Sequence, residues 1–170
     1  MKNILILNGA PNKTGRTAAM IKAFSDAARS AGNEVRELYL QGMEIHGCLD
    51  CQGCARAEQG CPNPCVQKDD MAQVYEEFRK ADVIAFASPV YWWTITGTLK
   101  TAIDRLYALY RKPGNGGGRK ESVLLMKSGG TGLGMIGAWY SGFEQMMGWT
   151  NLGAVMNDVD AAKRIGASIR

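Results

Sequence analysis

Two stretches of this chain hold residues whose types and spacing can do chemistry. The first is Asn8-Gly9-Ala10-Pro11-Asn12-Lys13-Thr14-Gly15-Arg16-Thr17, a turn between the apolar run Ile4–Leu7 and a helical pattern. Strand, tight loop and helix build an anion site, because free amides of the first helical turn point into the loop and the helix dipole favours negative charge there. Gly9 and Gly15 permit a close backbone approach that a side chain would block. Lys13 and Arg16 add positive charge, and Thr14 and Thr17 add hydroxyl donors. The stretch reads as a phosphate-binding loop, against the plainer reading of an ordinary βα turn. A nucleotide P-loop fits less well: five residues rather than four separate the glycines, and Arg16 stands where that motif needs lysine.

The second stretch gathers all five cysteines into eighteen residues, Cys48-x2-Cys51-x2-Cys54-x6-Cys61-x3-Cys65. Three cysteines at x2 spacing can bring thiolates round a common centre, as in iron–sulfur ligation. A tetrahedral zinc site uses the same atoms, redox thiols are a third reading, and incidental thiols the plain one. Disulfides do not suit a cytoplasmic chain.

Two further loops carry recognition chemistry. Ser88-Pro89-Val90-Tyr91-Trp92-Trp93 presents a flat aromatic surface with few charges, whose plain alternative is core packing or a subunit interface. Ser128-Gly129-Gly130-Thr131-Gly132 offers backbone amides and two hydroxyls. A phosphate loop, an aromatic ledge and a backbone-rich loop together fit a flat heteroaromatic ligand with a phosphorylated tail. Flavin mononucleotide (FMN) is the natural candidate.

These loops need elements to position them, and the chain alternates accordingly. Apolar runs predict strands at Ile4–Leu7, Glu34–Leu40, Val83–Ala87, Ser122–Met126 and Leu152–Met156. Helical spacing predicts a helix from Thr17 with Met20, Phe24, Ala27, Ala28 and Ala31 inward and Gly32 as the stop. Further helices are predicted after Asp69-Asp70 as cap, through Leu99, Ile103, Leu106 and Tyr110, over Met135–Met147 and over Asp160–Ile169. Lys112–Lys120 reads as a surface loop. Five strands alternating with helices mean an α/β fold with a parallel sheet covered on both faces, and ligands then sit beyond the carboxyl ends of the strands. All three recognition loops follow strands, so they converge on one edge.

At 170 residues the chain is read as one domain with a cysteine-rich loop at 46–66. Met1-Lys2-Asn3 leads straight into a strand without a leader pattern, and no run approaches a membrane span, so a soluble, cytoplasmic protein with no membrane partner is expected. The formal charge of +4 is mild and scattered, without the basic block of a nucleic-acid arm.

At these residues the chain resembles the NADPH-dependent FMN reductase and iron–sulfur flavoprotein branch of the flavodoxin-like superfamily, from Ile4 to about Tyr107. Three motifs carry the resemblance: Leu7-Asn8-Gly9-Ala10-Pro11 with Gly15-Arg16-Thr17; the cysteine run ending in Lys68-Asp69-Asp70-Met71; and Ser88-Pro89-Val90-Tyr91-Trp92 followed by Leu99-Lys100 and Asp104-Arg105. It implies a flavodoxin-like three-layer sandwich with strand order 2-1-3-4-5 and FMN at the switch point. The phosphate would lie in the first loop, and the isoalloxazine against Pro89–Trp93 and Ser128–Gly130. Ala10 departs from a serine common in the family and Arg16 from an asparagine; the lost hydroxyl costs ~1 kcal/mol, which Arg16 can offset. Cys48, Cys51, Cys54 and Cys61 match the compact motif that holds a [4Fe–4S] cluster. In the family the last cysteine commonly precedes Val-x-Lys-Asp-Asp, which here is Cys65, so either is a candidate fourth ligand.

The expected function is electron transfer through FMN from NAD(P)H to a small-molecule or protein acceptor, with no catalytic side chain because the flavin performs the chemistry. A homodimer or homotetramer that completes an exposed flavin edge is part of the expectation. A non-catalytic carrier is disfavoured by the basic charge; a metal-bound interaction module with a vestigial flavin pocket is the third reading. His46 reads as a polar loop residue without an evident carboxylate partner. Asp104 and Arg105 point to different sides of a helix and form salt bridges elsewhere. Met135, Met146 and Met147 read as core filler.

Overall fold

A computed structural model describes residues 1–111, 117–130 and 134–170. Five parallel strands stand in the order β2-β1-β3-β4-β5. They are β1 (Asn3–Asn8), β2 (Glu34–Tyr39), β3 (Val83–Pro89), β4 (Glu121–Lys127) and β5 (Thr150–Met156). The helices are α1 (Arg16–Ser30), α2 (Gly53–Arg56), α3 (Met71–Lys80), α4 (Gly97–Tyr110), α5 (Gly134–Met147) and α6 (Val159–Ser168), with a 3-10 turn at Leu40–Gly42. All five expected strands are present. The short α2 and the 3-10 turn carry no periodic signal.

Strand side chains alternate between two faces, and both faces are covered. Leu5, Leu7, Ile84 and Phe86 pack with α3, α4 and α5 on one side. Ile4, Ile6, Val83 and Ala85 pack with α1 and α6 on the other. At the edge of the sheet, β2 exposes Glu34, Arg36 and Glu37, charges that oppose pairing with another chain.

α1 buries Met20, Phe24, Ala27 and Ala28 as its spacing predicts, and Gly32 at φ +89° lets the chain turn back towards β2. α6 lies directly on α1: a Cβ at Gly166 would stand 2.3 Å from the Phe24 carbonyl oxygen, so the two backbones touch. The Asn33 amide also donates to the Ile169 carbonyl at 2.9 Å.

Two expectations change. Met135 and Met146 are exposed, at 71% and 84%, because α5 turns Ile136 and Tyr140 to the sheet; Met147 alone packs partly against the core. The carboxylate of Asp70 does not cap α3. It accepts the Glu44 amide at 2.7 Å, while Asp69 accepts the amides of Met71 (3.2 Å) and His46 (3.1 Å). Both acids hold the extended segment leading into the cysteine loop, whose backbone lacks a strand partner to bond with.

Candidate functional site

The first loop leaves β1 at buried Asn8. That side chain shapes the loop: its amide donates to Glu37 at 2.7 Å and its carbonyl oxygen accepts the Ala10 amide at 2.9 Å. Gly9 donates to the Ala87 carbonyl at 2.9 Å and accepts the Thr96 hydroxyl at 2.8 Å. A Cβ there would stand 2.5 Å from Leu99 Cβ, so only glycine lets β1 run this close to α4. Ala10 is buried, and the Pro11 carbonyl accepts the Tyr39 hydroxyl at 2.7 Å.

Lys13, Thr14, Gly15 and Arg16 are exposed, with the Lys13 ammonium 5.0 Å from the centre of the Tyr39 ring, and Thr17 is buried. Gly15 caps α1 without a side chain, and the first intrahelical bond runs from Ala19 to the Gly15 carbonyl. The amides of Arg16, Thr17 and Ala18 therefore have no intrahelical acceptor, and the positive end of the dipole lies open beside Lys13, Thr14 and Arg16. This donor set suits a phosphate.

The second loop begins at fully buried Ser88, whose hydroxyl donates to the Pro89 carbonyl and accepts the Thr96 amide at 3.0 Å. Val90 donates to the Lys127 carbonyl at 2.7 Å, which ties this loop to the third. Tyr91 and Thr94 exchange amide–carbonyl bonds of 2.9 and 3.1 Å around Trp92 and Trp93, which sit at φ +48° and +62°. That is a tight two-residue turn of the kind Asn-Gly usually fills. Two bulky residues in the left-handed region store strain, of order 1–3 kcal/mol each. Tyr91, Trp92 and Trp93 are 50%, 85% and 66% exposed, so the ledge is not core, and the two indoles lie 5.7 Å apart.

In the third loop Asn157, itself at φ +63°, accepts from the Ser128 amide at 2.9 Å and the Lys127 ammonium at 2.8 Å, and donates to the Gly130 carbonyl at 3.0 Å. Gly130 donates to the Ser128 hydroxyl at 3.0 Å. Two expected ligand donors are thus engaged within the loop, and among the described residues the Gly129 amide has no acceptor. Thr131 and Gly132 lie outside the described residues. Because β1, β3 and β4 are neighbours, all three loops meet at one edge of the sheet.

Thr96 and Asn157 are the organising residues that sequence reasoning missed. Thr96 had a readable signal, a hydroxyl residue at the start of a helical pattern; its side chain accepts the Leu99 amide as N-cap. Asn157 had none, since its partners lie 27–30 residues away.

The cysteine loop folds over α4. Cys48 and Cys51 are exposed, while Cys54 and Cys65 are half-buried and pack against the core. Cys48, Cys51, Cys54 and Cys65 line one cavity whose other wall includes Arg105 and Tyr107; Cys61 stands outside it, with its thiol on the Asn63 carbonyl at 3.2 Å. Among the described residues no group of three or more His, Cys, Asp or Glu side chains is arranged to hold a metal ion. The thiols surround a cavity without closing on a point.

Beneath it, Arg105 and Asp69 form a fully buried two-point ion pair, with Nη1–Oδ2 at 2.8 Å and Nη2–Oδ1 at 3.1 Å. Burial alone would raise the Asp69 pKa; the Arg105 fork and the His46 and Met71 amides outweigh it and hold the carboxyl below its ordinary value. Asp104 pairs instead with Lys100. His46 does have carboxylate neighbours, against expectation: Nδ1 lies 3.6 Å from Asp69 and Nε2 3.8 Å from Glu44. Among the described residues no helix is long and apolar enough to cross a membrane.

Comparison with known proteins agrees with this geometry. An iron–sulfur flavoprotein from Archaeoglobus fulgidus is 34% identical over 114 residues, covering 66% of this chain and 49% of that protein. A putative NAD(P)H-dependent FMN-containing oxidoreductase from Bacillus subtilis is 29% identical over 110 residues, covering 65% and 55%. The chain spans about half the length of the curated relatives it matches. The solved NAD(P)H:quinone oxidoreductase from Methanothermobacter marburgensis superposes with a TM-score of 0.72 at 18% identity, over 99% of each chain, which shows a shared flavodoxin-like fold. Residues 2–161 match the family described as NADPH-dependent FMN reductase, and the chain belongs to that family.

Proposed function

We propose that this protein binds FMN across its three loops and passes electrons from NAD(P)H to small-molecule acceptors. The observation that carries the reading is the open amino end of α1, where the amides of Arg16, Thr17 and Ala18 stand without helical acceptors beside Lys13, Thr14 and Arg16. These groups would take the phosphate. Trp92 and Trp93, with Tyr91 and Pro89, would flank the ring, and the Gly129 amide would reach its polar edge. FMN, when bound, supplies the redox chemistry. The chain orients it, and the exposed indoles leave room for a flat acceptor or for a second copy of the chain, as in a homodimer. A cytoplasmic location suits five unpaired thiols.

Denatured protein is expected to release FMN in equal molar amount. Replacing Arg16 by Ala together with Thr17 by Val is expected to weaken FMN more than riboflavin; equal weakening removes the phosphate assignment. Under anaerobic conditions NADH or NADPH is expected to bleach the flavin band, and a quinone to restore it. If dithionite alone bleaches it, the protein is a carrier.

The names of the iron–sulfur flavoprotein relatives support a finer reading, in which the cysteines hold a [4Fe–4S] cluster. Cys65 rather than Cys61 is then the fourth ligand, because it shares the cavity of Cys48, Cys51 and Cys54. Cys65→Ala is expected to lose bound iron and sulfide after anaerobic reconstitution, and Cys61→Ala to keep them. The reverse result reassigns the ligand, and zinc or no metal in the wild type removes the cluster.

A further inference from the structure

Lys127, the last residue of β4, stands between two of the three loops. Its register partner is Pro89, and its carbonyl accepts the Val90 amide at 2.7 Å, which fastens it to the second loop. Its ammonium donates to the Ser128 carbonyl and, at 2.8 Å, to Asn157 Oδ1, the side chain that shapes the third loop. Both acceptors are neutral oxygens, and among the described residues no carboxylate forms an ion pair with it. Along α4 the cations are neutralised, Lys100 by Asp104 and Arg105 by Asp69. Lys127 is not. It is also half-buried. An ammonium held by neutral oxygens keeps its field for whatever lies beside it, and that field is weakened less where protein rather than water surrounds it.

We propose that Lys127, fixed between the second and third loops without a carboxylate partner, sets the redox balance of the site by favouring reduced, anionic FMN over the oxidised form. The inference rests on FMN binding across the three loops. Uptake of a hydride brings two electrons and one proton, so the neutral ring becomes an anion whose charge gathers on its polar edge. A fixed positive charge between the two loops that would flank the ring counts for little with the oxidised cofactor and for more with the reduced one. The midpoint potential rises accordingly. That favours drawing hydride from NAD(P)H and suits acceptors such as quinones over low-potential protein partners. Asn157 and Ser128 then hold a charge in place as well as a loop.

The test is an anaerobic redox titration of the FMN-loaded protein, alongside the dissociation constant of oxidised FMN. Together they give the ratio of the oxidised to the reduced dissociation constant. Lys127→Gln keeps a donor for Ser128 and Asn157 and removes the charge. It is expected to leave oxidised FMN within about twofold of wild type and to weaken reduced FMN about tenfold, which lowers the midpoint potential by about 30 mV for a two-electron couple. Lys127→Arg keeps the charge and is expected to hold the ratio within about twofold of wild type. A ratio unmoved in Lys127→Gln overturns the proposal, and so does equal weakening of both forms, because either shows a loop fastener only. An equal fall of the ratio in Lys127→Arg overturns it too, since charge is then not the cause. If Lys127→Gln does not fold, Lys127→Met is judged by the same ratio. A wild type that binds no FMN overturns this proposal together with the FMN reading. A wild type that binds FMN but is reduced by dithionite alone overturns only the NAD(P)H reading, and the ratio still decides the role of Lys127.

Discussion

The Thr96 hydroxyl donates to the Gly9 carbonyl at 2.8 Å while the same oxygen accepts the Leu99 amide at 3.3 Å, so one side chain caps α4 and fastens it to the loop that follows β1. Thr96→Val keeps the shape and removes both bonds. It is expected to cost about 1–2 kcal/mol in urea unfolding of the cofactor-free protein and to speed FMN release, with Thr96→Ser restoring both.

The left-handed turn at Trp92-Trp93 gives an opposite pair of signs. Replacing the two residues by Asn and Gly suits the backbone and is expected to stabilise the cofactor-free protein by about 1–2 kcal/mol. The same change removes the indole ledge, so FMN affinity and NAD(P)H-driven turnover are expected to fall. Stability and cofactor titrations on one preparation check both.

Asp69 makes stability depend on acid. Its folded pKa is depressed, so its contribution is present above the unfolded value and is lost as pH falls through the folded value. Stability is expected to drop below about pH 4 in the wild type, with a shallower drop in Asp69→Asn. At neutral pH that variant is expected to lose about 3–5 kcal/mol, since Arg105 is left buried without its counter-charge. Unfolding curves across pH measure both effects.

Asn157 separates backbone from side chain. Asn157→Gly retains freedom for φ +63° but loses the contacts to Lys127, Ser128 and Gly130. It is expected to leave global stability within about 1 kcal/mol and to raise amide exchange at residues 128–130, whereas Asn157→Ala adds backbone strain.

Local periodicity made the fold legible. Ile4–Leu7, a short apolar run bounded by turn residues, reads as a strand covered on both faces, and the spacing of Met20, Phe24 and Ala28 selects one buried face of α1. The strand–turn–helix arrangement around residues 8–17 was legible for the same reason, since its three parts are adjacent in sequence. The ties between loops were not, because Arg105 and Asp69 lie 36 residues apart and their burial depends on the finished packing. The cysteine loop has no period at all, so the sequence put Cys61 first with Cys65 as the alternative, and only the folded chain puts Cys65 in one cavity with Cys48, Cys51 and Cys54. α5 misled because Met135 and Met146 face outward, a choice of face that Met, apolar but tolerant of exposure, does not reveal.

The backbone contact between Gly166 and Phe24 has a consequence for the order of events during synthesis. α1 leaves the ribosome about 140 residues before the α6 surface that covers its flank is made. Until then its flank of Ala27, Ala28 and Phe24 has no lid. A chain interrupted before α6 therefore leaves that apolar flank open to water and to other incomplete chains.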